Sequence, residues 1–253
     1  MTEFAVIIPA RFGSQRLPGK PLRDVAGKPL IQRTFESVSG SRAGLVAVAT
    51  DDQGIAEAVA GFGGQVCMTD NHLKSGTDRV AQAAERLDLD DQMIVVNVQG
   101  DEPDMPAILI NQVVDVLSNN PQAQLATAAC ALDNPAQYSD PSVVKVVCDG
   151  NDFALYFSRA PIPHARSEEA DKGDRVPWQL ARRHIGIYAY RVGYLKEFSQ
   201  ADPSALEESE KLEQLRALSR GDRIIVAQAS EAPSPGVDTV SDLEDAIKRF
   251  SQR

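Results

Sequence analysis

The sequence predicts an α/β protein built on a doubly wound, mostly parallel sheet. Three observations carry that expectation. Short apolar runs recur at Phe4-Ala5-Val6-Ile7-Ile8-Pro9, Leu45-Val46-Ala47-Val48-Ala49-Thr50, Gln65-Val66-Cys67-Met68-Thr69 and Met93-Ile94-Val95-Val96, each reading as a strand. Helical segments separate them, and such alternation produces a parallel sheet. Carboxylates and cations collect just after the strands, where open α/β sheets bind their ligands.

Composition bounds the rest. The 253 residues are 43% hydrophobic and 25% charged, ordinary for a soluble globular chain, and the expectation is a single domain over 1–253. No apolar run approaches the roughly 18 residues needed to span a membrane, and no signal-like segment opens the chain. A net charge of −10 argues against nucleic-acid binding and means that an anionic substrate needs locally placed cations. Cys67, Cys130 and Cys148 lie far apart and read as reduced residues of a cytoplasmic protein.

Taken in order, the first strand enters a loop from Ala10 to Leu22 carrying Arg11, Arg16 and Lys20. Gly13-Ser14 and Pro18-Gly19 supply turns whose free N–H groups could cradle phosphate. The spacing is not that of a P-loop, and Lys20 is followed by Pro21. A turn at 26–29 precedes a helix from Leu30 to Val38. After the second strand, Asp51-Asp52 is explained more cheaply by a helix cap than by a metal. A helix follows from Gly54 to Gly61. Ser75-Gly76-Thr77-Asp78-Arg79 opens another, where a hydroxyl caps the helix or the N-terminus receives an anion. Asn97-Val98-Gln99-Gly100-Asp101-Glu102-Pro103 then puts two carboxylates where a central strand ends, before a helix from about Met105 to Leu117. An acid there can hold Mg2+, and Mg2+ a triphosphate; capping the helix is the plainer alternative. From about 125 to 195 the strand-helix alternation breaks into successive strands, predicting an added lobe. A helix from Ala205 to Leu218 and a strand over Ile224-Ile225-Val226-Ala227 return the chain to the core before Asp238.

The 8–22 loop, Ala49-Thr50-Asp51-Asp52, Ser75-Gly76-Thr77-Asp78-Arg79 and Val96 to Pro103 together resemble the 3-deoxy-manno-octulosonate cytidylyltransferases, the CMP-Kdo synthetases. Ala154-Leu155-Tyr156-Phe157-Ser158-Arg159, Arg183-His184-Ile185-Gly186-Ile187-Tyr188, Leu212-Glu213-Gln214-Leu215-Arg216 and Gly236-Val237-Asp238-Thr239 extend the match over nearly the whole chain. The resemblance implies a Rossmann-like nucleotidyltransferase sheet with the 125–195 lobe carrying a homodimer contact. It implies the reaction CTP plus Kdo to CMP-Kdo plus pyrophosphate, in lipopolysaccharide assembly. Mg2+ would be held by Asp101 and Asp238, with Lys20 and Arg11 as further catalytic residues. Nucleotide contacts are implied for Ala10, Arg11, Ser14, Arg16, Lys20, Ser75, Gly76 and Gln99. Sugar-acid contacts are implied for Gln99, Arg159, His184, Tyr188, Glu213 and Gln214, with Arg159 the carboxylate partner by its fork geometry. On spacing alone His184 reads as a structural strand histidine, and Asp238 as a helix cap.

Two places depart from the family pattern. Leu73 stands where the family commonly has a histidine, with His72 one place earlier, and His164-Ala165-Arg166-Ser167 stands where the family usually has an aromatic and then Asp-Arg-Asp or similar. The charged 167–177 stretch is expected to form a mobile loop beside the sugar, with Glu168 or Glu169 available to an amino group. The alternatives are therefore activation of 8-amino-Kdo or a sialate, or a nucleotide-binding sensor without turnover.

Overall fold

The computed structural model describes residues 3–13, 16–164, 166 and 177–252. Ser14 and most of the charged 167–177 stretch, with Glu168 and Glu169, lie outside them. β1 (Phe4–Ala10) is buried along its whole length. The basic loop then tightens into a 3-10 turn at Lys20–Leu22. A hairpin the sequence did not announce follows, β2 (Asp24–Val25) and β3 (Lys28–Pro29), turned by Ala26 and Gly27 at φ 52° and 86°. It delivers the chain to α1 (Leu30–Val38).

The expected alternation continues through β4 (Leu45–Thr50), α2 (Gln53–Gly61), β5 (Gln65–Met68), α3 (Gly76–Arg86), β6 (Ile94–Asn97) and α4 (Ala107–Asn119). Asp52 caps α2 by accepting from Ile55 N at 2.8 Å. Ser75 and Asp78 close a capping box on α3. Asp51 does something else: its carboxylate lies 3.1 Å from the guanidinium of fully buried Arg79, which also donates to the Thr69 hydroxyl. That ion pair ties the ends of β4 and β5 to α3.

Next come β7 (Leu125–Ala131), α5 (Pro135–Ser139), β8 (Lys145–Cys148), β9 (Ala154–Ser158), α6 (Pro177–Leu180) and β10 (Arg182–Arg191). The sheet order is β11-β7-β10-β6-β1-β4-β5, with β8 and β9 branching from β10 and with β11 being Ile224–Gln228. β1 pairs in parallel with β4 and β6, and β4 with β5; β10 enters antiparallel between β6 and β7. The strand-rich stretch is thus divided. β7 and β10 belong to the central sheet, and the β8–β9 ribbon is the part added to it. Alternate residues of β1 point to opposite faces. Phe4, Val6 and Ile8 pack with α1, α2 and α4, whereas Ile7 packs toward α3 and α7 (Val192–Gln200). Burying Leu109, Ile110, Val113, Val114 and Leu117 of α4 contributes roughly 2 kcal/mol per side chain.

The expected helix from Ala205 to Leu218 is two helices, α8 (Ala205–Glu210) and α9 (Gln214–Ser219). Lys211 breaks it at φ 54°, in the left-handed region that cannot continue a helix. α10 (Val240–Ser251) closes the chain and is capped by Thr239, not Asp238. Its Ala246, with Leu243 and Ile247 at the margin, packs on Leu17, Val25 and Leu30 in a separate apolar cluster. That cluster docks the segment bearing Asp238 against the loop bearing Lys20.

Candidate active site

Two close approaches set the geometry. Gly100 passes so near β1 that a Cβ there would sit 2.9 Å from the Pro9 carbonyl oxygen. Gly236 passes equally close to Glu102, and Val237 N donates to Asp101 O at 2.9 Å. The loop after β6 is thereby wedged between the end of β1 and the approach to α10. β6 lies beside β1 on the side opposite β4, so this is also where the strand order reverses.

Asp101 and Asp238, 137 positions apart, converge on one cation. Lys20 Nζ is 2.6 Å from Asp101 Oδ2 and 2.9 Å from Asp238 Oδ1. Arg16 lies 3.1 Å from the other Asp238 oxygen. Burial works against the Lys20 ammonium, but the two carboxylates outweigh it and raise its pKa. Glu102 behaves differently from its neighbour. Burial, then the charges of Asp101 and Asp238, pushes its carboxyl up to about 8. It is therefore largely protonated near neutral pH, and the adjacent acids do not act as a pair of anions.

A cavity of about 420 Å³ opens here, lined by Ala10, Arg11, Arg16, Lys20, Gly76, Gln99, Asp101 and Asp238 among others. It gathers the residues expected to meet the nucleotide, except Ser75, whose hydroxyl caps α3, and Ser14, outside the described residues. Arg11 reaches across its rim to the Lys74 carbonyl at 3.3 Å. A second cavity of about 230 Å³ is lined by Thr77, Asn97, Gln99, His184, Tyr188, Glu213, Gln214 and residues around them. The break at Lys211 is what turns Glu213 and Gln214 into it. Burial holds the Glu213 carboxyl above the usual range despite a bond from the Thr77 hydroxyl and the nearby Arg216. Gln99 lines both cavities.

Arg159 does not line the second cavity. Its Nε donates to the Glu210 carbonyl at 2.8 Å and its Nη1 to the Pro141 carbonyl at 3.0 Å. The Glu210 carboxylate accepts from Arg159 N and the Ser158 hydroxyl, and buried Lys145 donates to the Arg159 carbonyl. The two guanidinium bonds use two of its five donors and leave Nη2 and the second hydrogen of Nη1. Sequence reasoning missed Asn97 and Thr77. Asn97 is 1% exposed and its Nδ2 has no partner, as is true of Gln214 Nε2. An asparagine ending an otherwise apolar buried strand was the available signal.

Residues 5–224 match the cytidylyltransferase family model. The chain is 53% identical over 245 residues to the 3-deoxy-manno-octulosonate cytidylyltransferase of Hahella chejuensis, covering 96% of each chain. It is 50% identical over 246 residues to that of Idiomarina loihiensis, covering 97% of each. Among solved structures, a CMP:2-keto-3-deoxy-manno-octonic acid synthetase complexed with CTP superposes at a TM-score of 0.90, with 39% identity and 99% of each chain covered. A 4-diphosphocytidyl-2C-methyl-D-erythritol synthase from Anaerococcus prevotii, 15% identical at a TM-score of 0.63, shares the fold.

Proposed function

The chain belongs to the cytidylyltransferase family, among its 3-deoxy-manno-octulosonate members, and from that premise we propose that it couples CTP to Kdo, giving CMP-Kdo and pyrophosphate. The observation that carries this reading is Gln99, which stands on the wall shared by a cation-lined cavity and a second one whose mostly apolar wall carries Asn97, His184, Glu213 and Gln214. A triphosphate in the first and a sugar acid in the second would meet at that wall.

The anomeric hydroxyl attacks the α-phosphorus: a new P–O bond forms, the bond to the bridging oxygen breaks, and the hydroxyl proton passes to solvent. Arg11 and Arg16 offset the triphosphate charge. Lys20 leaves the carboxylates and stabilises the charge growing on pyrophosphate. A Cβ at Gly76 would sit 3.3 Å from Gln99 Oε1 and 3.4 Å from Pro9 Cγ, so a glycine there keeps the cavity wall at the start of α3 from closing further on the nucleotide. Asn97 and Gln214 offer donors, and Glu213 and Tyr188 further polar atoms, to sugar hydroxyls.

Asp101 and Asp238 fit Mg2+ by donor chemistry: two hard oxygen ligands already converge on a stand-in cation, the Lys20 ammonium. Among the described residues no group of three acids, histidines or cysteines could hold a metal, so phosphate and water oxygens would complete the shell. When bound, Mg2+ would neutralise charge on the phosphate oxygens.

The β8–β9 ribbon, ending in an edge strand with Leu155 61% exposed, supports a homodimer through that face. Cytoplasmic lipopolysaccharide precursor synthesis is the setting that suits CTP and three free cysteines. Among the described residues no helix is long and apolar enough to cross a membrane.

The test measures pyrophosphate release from CTP with Kdo, 8-amino-Kdo, N-acetylneuraminate and glucose 1-phosphate. Kdo should be fastest. Fastest release with neuraminate would move the chain to sialate activation, and CTP binding without release would leave a sensor.

A further inference from the structure

Thr127 lies in β7, fully buried, with its hydroxyl under the sugar-side cavity's His184. Three groups surround Oγ1. His184 Nε2 is 3.0 Å away, the Ile187 carbonyl 2.8 Å and the Ile185 carbonyl 3.2 Å. Both carbonyls belong to the stretch of β10 where the register with β7 shifts between Ile185 and Tyr188. A hydroxyl has one proton and two lone pairs, and a carbonyl can only accept. Giving the proton to His184 would leave Oγ1 lone pairs facing two buried carbonyl oxygens. Giving it to Ile187, the nearest acceptor, satisfies that carbonyl and leaves Oγ1 to accept from the imidazole.

Burial pushes the His184 pKa down to about 3, so the ring is neutral and carries a single N–H. Phe157 and Tyr188 hold it, with centroids at 5.2 and 5.5 Å. The tautomer of a neutral histidine is set by the bond its other nitrogen makes. We infer that Thr127 is a positioning residue for substrate recognition: it fixes His184 as the Nε2–H tautomer and so presents Nδ1 to the cavity as a hydrogen-bond acceptor for a substrate hydroxyl.

The partners on the cavity wall complement that acceptor. Asn97 Nδ2 and Gln214 Nε2 are buried donors without partners. Two amide side chains and one fixed acceptor on the same wall suit a polyhydroxylated ligand, whose hydroxyls both give and receive. This rests on the sugar-acid reading for the identity of the ligand, but the tautomer itself does not.

The experiment separates the two. The chain has three histidines, so long-range 15N–1H spectra of the labelled, ligand-free protein are simple, and His184→Gln assigns the ring. Wild type should show a protonated Nε2 and an unprotonated Nδ1. Thr127→Val should move the ring toward a mixture with the Nδ1–H form, and Thr127→Ser should restore the wild-type pattern. In kinetics, Thr127→Val should raise KM for the sugar acid about tenfold, the scale of one misplaced hydrogen bond, and leave KM for CTP within about twofold. A protonated Nδ1 in wild type would overturn the inference, as would a Thr127→Val spectrum like wild type. Equal rises in both KM values would make Thr127 merely structural. Should Thr127→Val not fold, the wild-type tautomer and a Thr127→Ser spectrum matching it still decide. Failure of every sugar acid as substrate would sink the functional reading, and the spectra would still decide whether Thr127 sets the tautomer.

Discussion

Lys20→Met removes the ammonium that bridges Asp101 and Asp238 while keeping the length of the apolar stem. Each contact at 2.6 and 2.9 Å has a gross attraction of about 6 kcal/mol at an effective dielectric near 20. Asp238 is 47% exposed and also meets Arg16, so its share shrinks to at most about 1 kcal/mol. Lys20 and Asp101, 14% and 28% exposed, keep about 1 kcal/mol after desolvation. A divalent cation that takes these carboxylates must displace an interaction of about 2 kcal/mol, which corresponds to roughly 30-fold in affinity. Nucleotide-free Lys20→Met should therefore bind Mn2+ about 10- to 30-fold more tightly than wild type, read from the free-ion signal in electron paramagnetic resonance. Turnover should fall at the same time, because the cation that would stabilise the leaving pyrophosphate is gone. With CTP bound, the gain in Mn2+ affinity should largely vanish, since in wild type Lys20 would then face phosphate. Equal or weaker Mn2+ binding by the nucleotide-free variant would refute the shared cation site.

Gly100→Ala should destabilise the protein by about 1–3 kcal/mol in urea denaturation, because the new Cβ meets the backbone oxygen of Pro9 at 2.9 Å in buried β1; an unchanged midpoint would mean that the loop after β6 packs loosely on β1. His184 predicts a pH dependence. Its folded pKa of about 3 lies below the usual value near 6.5, so between those values the unfolded chain binds the extra proton. Stability is full above pH 6.5 and falls toward pH 3, by roughly 2 kcal/mol from pH 7 to 5. The gap between wild type and His184→Gln should narrow by about that amount, and a constant gap would remove the buried neutral histidine. CTP should be used in strong preference to UTP, since a site receiving a 4-amino donor leaves a buried acceptor unpaired with a 4-oxo group; equal pyrophosphate release from both would count against cytidylyl transfer.

Much of this molecule was legible in one dimension because its signals are local. A buried parallel strand is an unbroken apolar run, and β1, β4 and β6 announce themselves that way, whereas β5 is a partly exposed edge strand. Asp52 and Ser75 sit where caps belong, and the caps are there. The long-range match of motifs pointed to the family, since the order of many short segments carries more information than any one of them.

Residue order alone thus specified the βα alternation, the helix boundaries set by caps, and the grouping of cations, acids and amides at strand ends. Packing determined which of those groups meet. Asp101 and Asp238 share a cation only because Gly100 and Gly236 let three segments touch and α10 docks on the Lys20 loop. Glu102, one residue from Asp101, is held neutral by burial and neighbouring charge that come from elsewhere in the chain. β10 reads like any strand, yet its insertion between β6 and β7 sets His184 against Thr127, and the left-handed Lys211 turns Glu213 and Gln214 inward. Arg159 shows how packing adds to residue type: backbone carbonyls of two other segments hold its guanidinium in place through Nε and Nη1, which its sequence position did not announce. Propensity and periodicity act over a few residues, whereas desolvation, charge coupling and the sharing of a cation depend on distances that only the folded chain establishes.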